Sequence, residues 1–260
     1  MCSLLRRLSE RVLVPGFSRA RGRTKPDGSL VTDADLAMQA AVARELEARW
    51  PDVPVLGEEM PAAEQRRLLA GGDAALWCLD PLDGTSNYAS GVPFFAVSLA
   101  LIRAGRVELG VVYDPLRGEC FSAARGRGAW LDDRGLRLLT GGLPLRECVA
   151  LVDFKRLPPR LAERLAVRPP FRSQRSFGAV ALDWCWLAAG RGHLYLHGGQ
   201  KLWDYAAGRL ILAEAGGTSR CCDRLGGTCD DTAVLEPRVA VAAVDRGLFG
   251  AWEAELLRAG

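Results

Sequence analysis

The sequence lacks a hydrophobic run that could cross a membrane, and it lacks a strong excess of charge. Its longest apolar stretches, such as residues 94–102, fall well short of the ~20 residues that a transmembrane helix needs. The 34 basic and 31 acidic residues leave a net charge of +3, which indicates neither a nucleic acid nor an anionic membrane as a partner. Arg6, Arg7 and Arg11 stand among leucines, a pattern typical of an amphipathic helix rather than of a signal peptide. We therefore expect a soluble, cytoplasmic protein with no membrane partner.

Several common catalytic and nucleotide-binding motifs are also missing. The sequence contains no Gly-x-x-x-x-Gly-Lys, no Gly-x-Gly-x-x-Gly and no Gly-x-Ser-x-Gly, so it does not indicate the usual phosphate-loop, dinucleotide or acyl-transfer sites. Its only histidines are His193 and His197. Few side chains are therefore available as a general base near neutral pH.

The eight cysteines show neither a metal-binding nor a disulfide pattern. They are spread over a long chain, which favours reduced thiols over a disulfide framework. Cys78 and Cys185 lie in apolar stretches, and we expect them to be small core residues. Cys221, Cys222 and Cys229 cluster without a Cys-x-x-Cys pair or a nearby histidine, so a structural role is favoured over zinc binding.

Length and composition indicate a large folded protein. Hydrophobic residues make up 49% and charged residues 25% of 260 residues, and this length exceeds the ~100–150 residues of a usual domain. The break Gly141-Gly142-Leu143-Pro144 is the best candidate boundary, because strands and helices alternate more regularly after it. The predicted fold class is α/β, with an α+β domain over residues 1–142 and an α/β domain over residues 143–260.

Hydrophobic periodicity and turn chemistry predict the elements of both halves. In the first half these are the N-terminal helix, a turn at residues 24–28, a helix from the N-cap Thr32 to about Trp50, strands at 53–56 and 74–79, a hairpin of residues 94–102 and 107–113, and short strands towards Leu139. In the second half they are strands at residues 148–154, 193–197 and 239–244, helices at 158–166, 178–189 and 203–215, and a last helix.

An acidic segment after the second predicted strand carries the strongest chemical signal. Asp80 and Asp83 flank a proline-containing turn, and the carbonyl of Leu82 between them can face the same side. Three oxygen ligands in one loop suit Mg²⁺ or Ca²⁺ better than zinc or copper. If Gly84 and Thr85 then open a short helix, their N–H groups face an anion held by that metal. The alternative from spacing alone is a surface turn stabilised by aspartate side chains.

Other acidic residues are weak signals when each is taken alone. Glu58 and Glu59, which follow a glycine, are typical of a solvated face. Asp204 is typical of a helix N-cap, and Asp35 is typical of the first turn of a helix.

Four segments, taken in order, resemble the inositol monophosphatase-like superfamily of metal-dependent sugar and nucleotide phosphatases. They are Asp27-Gly28-Ser29-Leu30-Val31-Thr32-Asp33-Ala34-Asp35, Gly57-Glu58-Glu59, Asp80-Pro81-Leu82-Asp83-Gly84-Thr85-Ser86-Asn87-Tyr88, and Trp203-Asp204-Tyr205-Ala206-Ala207-Gly208 running into Glu214-Ala215-Gly216-Gly217. The resemblance covers most of the chain. It implies a layered α-β-α-β-α sandwich of the sugar-phosphatase type, often a homodimer, with a site between its two halves. It also implies a Mg²⁺-dependent, lithium-sensitive phosphomonoesterase that hydrolyses a small polyol or sugar phosphate with metal-activated water.

The resemblance further implies a role for each matching position. The metal ligands, for two or three Mg²⁺ ions, are Glu58, Asp80, the Leu82 carbonyl, Asp83 and Asp204. The catalytic residues are Glu58, Asp35 and Thr85, and Asp35 and Thr85 form a pair beside the attacking water. Lys25 lies near the mobile loop of that site. The substrate-binding residues are Asp83, Gly84, Thr85, Gly178, His197 and Asp204.

One departure from the family pattern concerns the substrate. His197 stands where inositol-cleaving members carry a glutamate for substrate hydroxyls, so a preference for inositol is in doubt; a structural histidine at the strand end is the alternative. A 3′(2′),5′-bisphosphate nucleotidase is therefore a second reading, with a second phosphate held by basic residues of the arginine-rich second half. A third is a non-catalytic partner of the transcription or ribosome-assembly machinery. The basic residues considered for that second phosphate are Arg156, Arg160, Arg164, Arg168, Arg172 and Arg175.

Overall fold

A computed structural model describes residues 1–25, 28–71, 74–139 and 141–258. Its helices in chain order are α1 (Cys2–Val12), α2 (Asp33–Arg49), α3 (Ala62–Leu69), α4 (Thr85–Ser90), α5 (Pro159–Val167), α6 (Val180–Ala188), α7 (Leu202–Glu214) and α8 (Arg246–Leu257). Its strands are β1 (Arg23–Thr24), β2 (Leu30–Val31), β3 (Val55–Gly57), β4 (Leu76–Asp83), β5 (Ala96–Arg103), β6 (Arg106–Asp114), β7 (Glu119–Ala124), β8 (Ala129–Leu131), β9 (Arg134–Leu136), β10 (Val149–Asp153), β11 (Ser173–Arg175), β12 (Leu194–Gln200), β13 (Thr218–Cys222) and β14 (Arg238–Ala243).

Two large sheets are formed within the described residues. One has seven strands in the order β3-β4-β5-β6-β7-β8-β9, and the other has five in the order β11-β10-β12-β14-β13. In the first sheet only β3 and β4 are parallel. In the second, β10 is parallel to both of its neighbours. Each sheet takes its strands from one side of residues 141–144, while the division into two domains there stays a prediction.

Helices separate and cover the two sheets. α1 and α2 pack on one face of the seven-stranded sheet, and α7 packs on its other face against β4 to β7. α6 lies beside α7 and contacts β12 of the five-stranded sheet. α8 packs on β13 and β14, and α5 adds Leu161 and Leu165 to the same core. The expected α-β-α-β-α layering is therefore confirmed, because each sheet buries an apolar face against the central helices.

The predicted elements agree with the structure to within a few residues. The hairpin of β5 and β6 turns at Ala104 and Gly105, both with positive φ. The helix after Thr32 begins with a capping box, in which Asp35 accepts the Thr32 N–H at 2.7 Å. The predicted turn at residues 24–28 includes Pro26 and Asp27, which lie outside the described residues. Sequence patterns missed α3, β11 and β13, which are short and carry no clear apolar period.

The prediction that the cysteines are reduced thiols is wrong for two pairs. Cys2 at the start of α1 is bonded to Cys120 in β7, and Cys222 is bonded to Cys229. Residues 2 and 120 are brought together only by folding, and the spacing of residues 222 and 229 did not indicate their pairing. Cys78, Cys148, Cys185 and Cys221 are buried free thiols, which confirms the expectation for Cys78 and Cys185. No helix in the described part of the chain is long and apolar enough to cross a membrane.

Candidate active site

Two carboxylates follow neighbouring strands at one edge of the seven-stranded sheet. β3 and β4 run parallel, with Gly57 opposite Leu79. The Glu58 N–H donates to the carbonyl of Leu79 at 3.1 Å, which extends the pairing by one residue. Asp80 is the next residue of β4, and only 2% of it is exposed. Parallel pairing therefore places Glu58 and Asp80 at the same edge.

A bulge in β4 turns Asp83 to the same side of the strand as Asp80. Asp80 is paired with Ser98 and Asp83 with Ala96, so three steps along β4 match two along β5. Residues an odd number apart face opposite sides of a regular strand, and one extra residue reverses this relation. Asp80 Oδ1 accepts the Leu82 N–H at 3.0 Å, which fixes the turn.

Helix α7 brings a fourth carboxylate to this edge. Asp204 lies in the first turn of α7, where its Oδ2 accepts the Lys201 N–H at 2.8 Å. The helix approaches the sheet closely, since a Cβ at Gly110 of β6 would lie 2.7 Å from the carbonyl of Ala207. Gly110 therefore permits the packing that carries Asp204 from the second half to the acidic edge of the first.

Asp80 and Asp83 are buried, Glu58 and Asp204 are half-buried, and the four carboxylates repel one another. Burial, and then the charges of Glu58, Asp83 and Asp204, raise the pKa of Asp80 well above its usual value. Burial and then Asp204 do the same to the pKa of Asp83. The pKa of Glu58 is raised to about 7, chiefly by burial, against the opposing effect of Lys25. Burial also raises the pKa of Asp204.

This donor set has the chemistry of a hard-cation site. Buried carboxylates without enough positive charge are unfavourable, and divalent cations with a preference for oxygen compensate them. As they stand, no three His, Cys, Asp or Glu side chains of the described residues are grouped closely enough to share an ion. The residues present fit Mg²⁺ in number, charge and atom type.

Lys25 supplies positive charge at the site. Its Nζ contacts Glu58 Oε1 at 2.8 Å and Glu59 Oε1 at 2.7 Å. Burial lowers the pKa of Lys25, but the two glutamates outweigh this effect and raise it overall. Gln65 holds the backbone of this segment, because its Nε2 donates to the carbonyls of Gly57 and Glu58. The structure thus places Lys25 in contact with the acidic cluster.

The fold brings together Asp35 and Thr85, which are 50 positions apart in the chain. The Thr85 hydroxyl lies 2.9 Å from Asp35 Oδ1 and 3.0 Å from the carbonyl of Leu82. Asp35 Oδ2 accepts the Thr32 hydroxyl at 2.5 Å and the Thr32 N–H at 2.7 Å. Burial raises the pKa of Asp35, and the hydrogen bonds from Thr32 and Thr85 oppose that rise. The predicted pairing of Asp35 with Thr85 is present.

Two glycines shape the backbone where α4 and α6 begin. Gly84 is the N-cap of α4 with φ 89°, and a Cβ there would lie 3.1 Å from both Ala179 Cβ and the Phe94 carbonyl. Gly178 has φ 81° and lies against the Asn87 side chain. Such positive φ angles favour glycine. The segment before α6 therefore lies directly beside the start of α4.

Asp83 also joins the two halves through the start of α6. Its carboxylate oxygens accept the N–H groups of Val180 at 3.1 Å and Ala181 at 2.6 Å. These are among the first N–H groups of a helix, which have no partner within the helix itself. Sequence reasoning missed this cap because the two segments are 97 and 98 residues apart.

His197 is engaged inside the protein. It is 5% exposed, its Nε2 lies 3.1 Å from Asp153 Oδ2, and its Nδ1 accepts the Gly199 N–H at 3.2 Å. Asp153 and His197 are register partners on the parallel strands β10 and β12. Burial raises the pKa of Asp153, but the hydrogen bond and charge interaction with His197 oppose it, and the pKa is lowered overall. These contacts support the structural alternative for His197, and its substrate role stays a prediction.

The chain matches known proteins over most of its length. A model of the inositol monophosphatase family matches residues 8–256. A protein of Pasteurella multocida named Nus factor SuhB is 37% identical over 230 residues, which are 83% of this chain and 81% of that protein. An inositol-1-monophosphatase of Mesorhizobium japonicum is 37% identical over 74% of this chain and 72% of its own.

Solved structures show the same fold. The IMPase of Thermotoga maritima has a TM-score of 0.81 at 27% identity, with 99% of this chain and 94% of that chain covered. The extragenic suppressor protein suhB of Bartonella henselae has a TM-score of 0.82 at 28% identity, with 98% and 95% covered. The layered architecture and the order of its elements are shared with these proteins.

Proposed function

This chain belongs to the inositol monophosphatase family and is a phosphoric monoester hydrolase, and from that premise we propose that it hydrolyses the phosphate ester of a small polyol or sugar at the acidic edge described above. The observation that carries the proposal is that Glu58, Asp80, Asp83 and Asp204, brought to one edge by β3, β4 and α7, lie near enough for their charges to raise the pKa values of Glu58, Asp80 and Asp83. A protein that served only as a scaffold would have no need of four such costly groups.

We propose that the carboxylates and the Leu82 carbonyl hold Mg²⁺, on which members of the family generally depend. When bound, the ions lower the pKa of a water and neutralise charge on the phosphoryl oxygens. The pair of Asp35 and Thr85 orients that water. The Thr85 hydroxyl donates to Asp35 Oδ1, which leaves a lone pair of its oxygen to accept a hydrogen bond from the attacking water.

The start of α4 is proposed to hold the phosphoryl group. The N–H groups of Gly84 and Thr85 stand at the first turn of this helix, and such groups suit anionic oxygens. Lys25 orients Glu58 through its contact with Oε1. Gly178 lets the segment before α6 lie against the Asn87 side chain, beside the start of α4. A cytoplasmic location and a homodimer remain predictions of the sequence.

Phosphate release from a panel of inositol, sugar and glycerol phosphates tests the proposal. We expect Mg²⁺-dependent release, and we expect Asp204→Asn to reduce kcat/KM by about 100-fold or more, since even indirect supports of metal ligands are worth 10- to 100-fold. Asparagine retains an oxygen for the Lys201 N–H, so the fold should survive. The control is Asp52→Asn, an exposed carboxylate away from the site. Equal turnover by Asp204→Asn and wild type would contradict the assignment.

A role beside the transcription machinery is a second candidate. The observation that favours it is the name Nus factor carried by several relatives that are 34–38% identical to this chain. The two roles are compatible, since one surface can bind a partner while the acidic edge hydrolyses esters. Co-purification of the tagged chain with RNA polymerase from its own host, compared for wild type and Asp204→Asn, tests the second role separately. Absence of polymerase from both samples would reject it.

A further inference from the structure

A cavity of about 310 Å³ lies on the side of α7 that faces away from the acidic edge. Its wall along the helix is formed by residues spaced four, three and four positions apart, which therefore share one face: Leu202, Ala206, Arg209 and Ala213. Asp204 stands two positions from both Leu202 and Ala206, so it belongs to the opposite face of the helix. The cavity is consequently separate from the site described above.

Both halves of the chain contribute the other walls of the cavity. The first half supplies Val107 of β6 and Arg125 after β7, and the second half supplies Thr218 and Ser219 of β13 and residues 231–233. The last segment is anchored on both sides. Cys229 is bonded to Cys222, and the Ala233 N–H donates to the carbonyl of Gly105 at 2.8 Å. The volume falls at the lower end of the range for small-molecule sites, about 300–1,000 Å³.

Tyr205 brings an unpaired hydroxyl group to this cavity. The residue is only 5% exposed, and it lines the cavity from α7. In the part of the chain that the structure describes, no group forms a hydrogen bond with the Tyr205 hydroxyl. Burial raises the pKa of Tyr205, so the phenol stays protonated and is a donor near neutral pH. A buried polar group of this kind favours a polar ligand atom beside it.

Arg209 is the cation that the cavity offers to a ligand. Its Nε lies 3.3 Å from Ser219 Oγ, and its Nη2 lies 2.5 Å from Asp231 Oδ1, while Nη1 has no partner among the described residues. The Asp231 side chain is 79% exposed, and exposed ion pairs contribute little to stability. Arg125 differs, since it donates to a backbone carbonyl and lies 3.5 Å from Glu108. The group already seated on Arg209 is thus a weakly held carboxylate.

We propose that this cavity binds a small organic carboxylic acid with a branched or aromatic body, whose carboxylate displaces Asp231 from Arg209. An arginine fork pairs with a carboxylate through two parallel hydrogen bonds, for which Nη1 and Nη2 are at hand. The apolar body packs on the face of α7 that carries Leu202 and Ala206. The site is independent of the proposed hydrolysis, and its test needs no turnover.

Acids and their amides, which share one shape and differ in charge, test the site. The probes are benzoate with benzamide, and 3-methylbutanoate with 3-methylbutanamide. Their affinities are measured by calorimetry in a buffer without divalent cations, so that no metal at the acidic edge attracts the carboxylate. For at least one pair we expect the acid to bind about tenfold or more tightly than its amide, the usual scale of a charge-assisted contact.

Three variants move this binding in different directions. Arg209→Gln should lower the acid-to-amide affinity ratio by about fivefold or more. Asp231→Asn should instead tighten the binding of the acid by about threefold, because it removes the competing carboxylate. Ala213→Phe changes an exposed residue of the cavity wall, and it should weaken acid and amide alike by filling the space. Arg160→Gln, a matched loss of charge on an exposed part of α5, should change neither affinity.

Opposite effects of Arg209→Gln and Asp231→Asn distinguish a ligand site from a merely structural ion pair, for which neither variant would alter the affinity ratio. Wild-type affinities that do not exceed those of the amides in either pair would overturn the proposal, and so would an acid that binds no more tightly to Asp231→Asn than to wild type. Should Arg209→Gln fail to fold, the two variants at exposed positions, Asp231→Asn and Ala213→Phe, still decide. Binding that is lost in Asp204→Asn would place the acid at the acidic edge and reject the cavity.

Discussion

Asp183 is a carboxyl group that the fold buries without a full set of partners. It lies in the first turn of α6 and is 8% exposed, and its Oδ1 has no hydrogen-bond partner among the described residues. Burial, and then the charges of Asp83 and Asp153, raise the pKa of Asp183 well above its usual value. An acid with a raised folded-state pKa destabilises the protein once the pH exceeds its unfolded-state pKa, and the penalty grows until the pH passes the folded-state pKa.

Asp183→Asn should therefore stabilise the protein increasingly as the pH rises from 4 to 8. The amide carries no charge, so it removes a penalty that wild type acquires over this range. At pH 8 we expect a gain of about 1–3 kcal/mol in the free energy of unfolding, the usual cost of a buried unsatisfied polar group. Denaturation midpoints at several pH values measure it. Asp52→Asn is the exposed control, and a difference between Asp183→Asn and wild type that does not vary with pH would contradict the account.

At the scale of elements, three segments build the site by different devices. β3 and β4 contribute through parallel register, the bulge in β4 turns a second aspartate to the same side, and α7 contributes Asp204 by packing closely on Gly110. Each device is a backbone arrangement rather than a side-chain contact. A substitution that alters one of them should consequently displace the proposed metal ligands that it positions.

Helix α1 is joined to the seven-stranded sheet by the bond between Cys2 and Cys120. This bond closes a loop of 118 residues, whereas the bond between Cys222 and Cys229 closes one of 7. Loop-closure entropy predicts about 5 kcal/mol of stabilisation for the first and about 2 kcal/mol for the second, as upper values. Cys2→Ser should thus lower the free energy of unfolding more than Cys229→Ser does.

Urea denaturation of both variants, with and without a reductant, measures this difference. Reductant should destabilise wild type and should have little further effect on a variant that lacks both bonds. Equal losses in Cys2→Ser and Cys229→Ser, or no effect of reductant on wild type, would contradict the prediction. Leu4, Leu5 and Leu8 of α1 are buried, so we expect the helix to stay docked when the bond is absent.

For the whole molecule, cation binding and folding should be coupled. Glu58, Asp80 and Asp83 come from the first half and Asp204 from the second, so the complete donor set exists only in the folded chain. A cation at 100 times its Kd stabilises the folded state by about 2.7 kcal/mol, which corresponds to a rise in Tm of roughly 5–10 °C for a chain of this size.

Thermal unfolding with Mg²⁺ and with a chelator measures this coupling without any assay of activity. Asp204→Asn should reduce the Mg²⁺-dependent rise in Tm to less than about half, because one anionic ligand is lost. Arg160→Gln should retain the full rise. The same Tm in Mg²⁺ and in chelator would argue against a cation site at these carboxylates.

Much of the architecture could be predicted from the sequence because local signals were strong. The capping pattern at Thr32, the apolar run that becomes β4 and the glycine at the end of the β5–β6 turn each depend on neighbours close in the chain. The short strand β11 was missed, since its formation depends on pairing with the distant strand β10, and α3 was missed because its stretch carries no clear apolar period. The bond between Cys2 and Cys120 also joins distant segments, whereas the bond between Cys222 and Cys229 is local and their spacing did not indicate it.

The sequence by itself determined the fold class, the order of the main elements and the set of acidic residues, because periodicity, capping and motif spacing are local properties of the chain. Only the tertiary structure decided which of these residues meet. It placed Lys25 on Glu58, capped α6 with Asp83, and paired His197 with Asp153. Contacts of this kind depend on strand register and helix packing between segments tens of residues apart, and no local pattern encodes them.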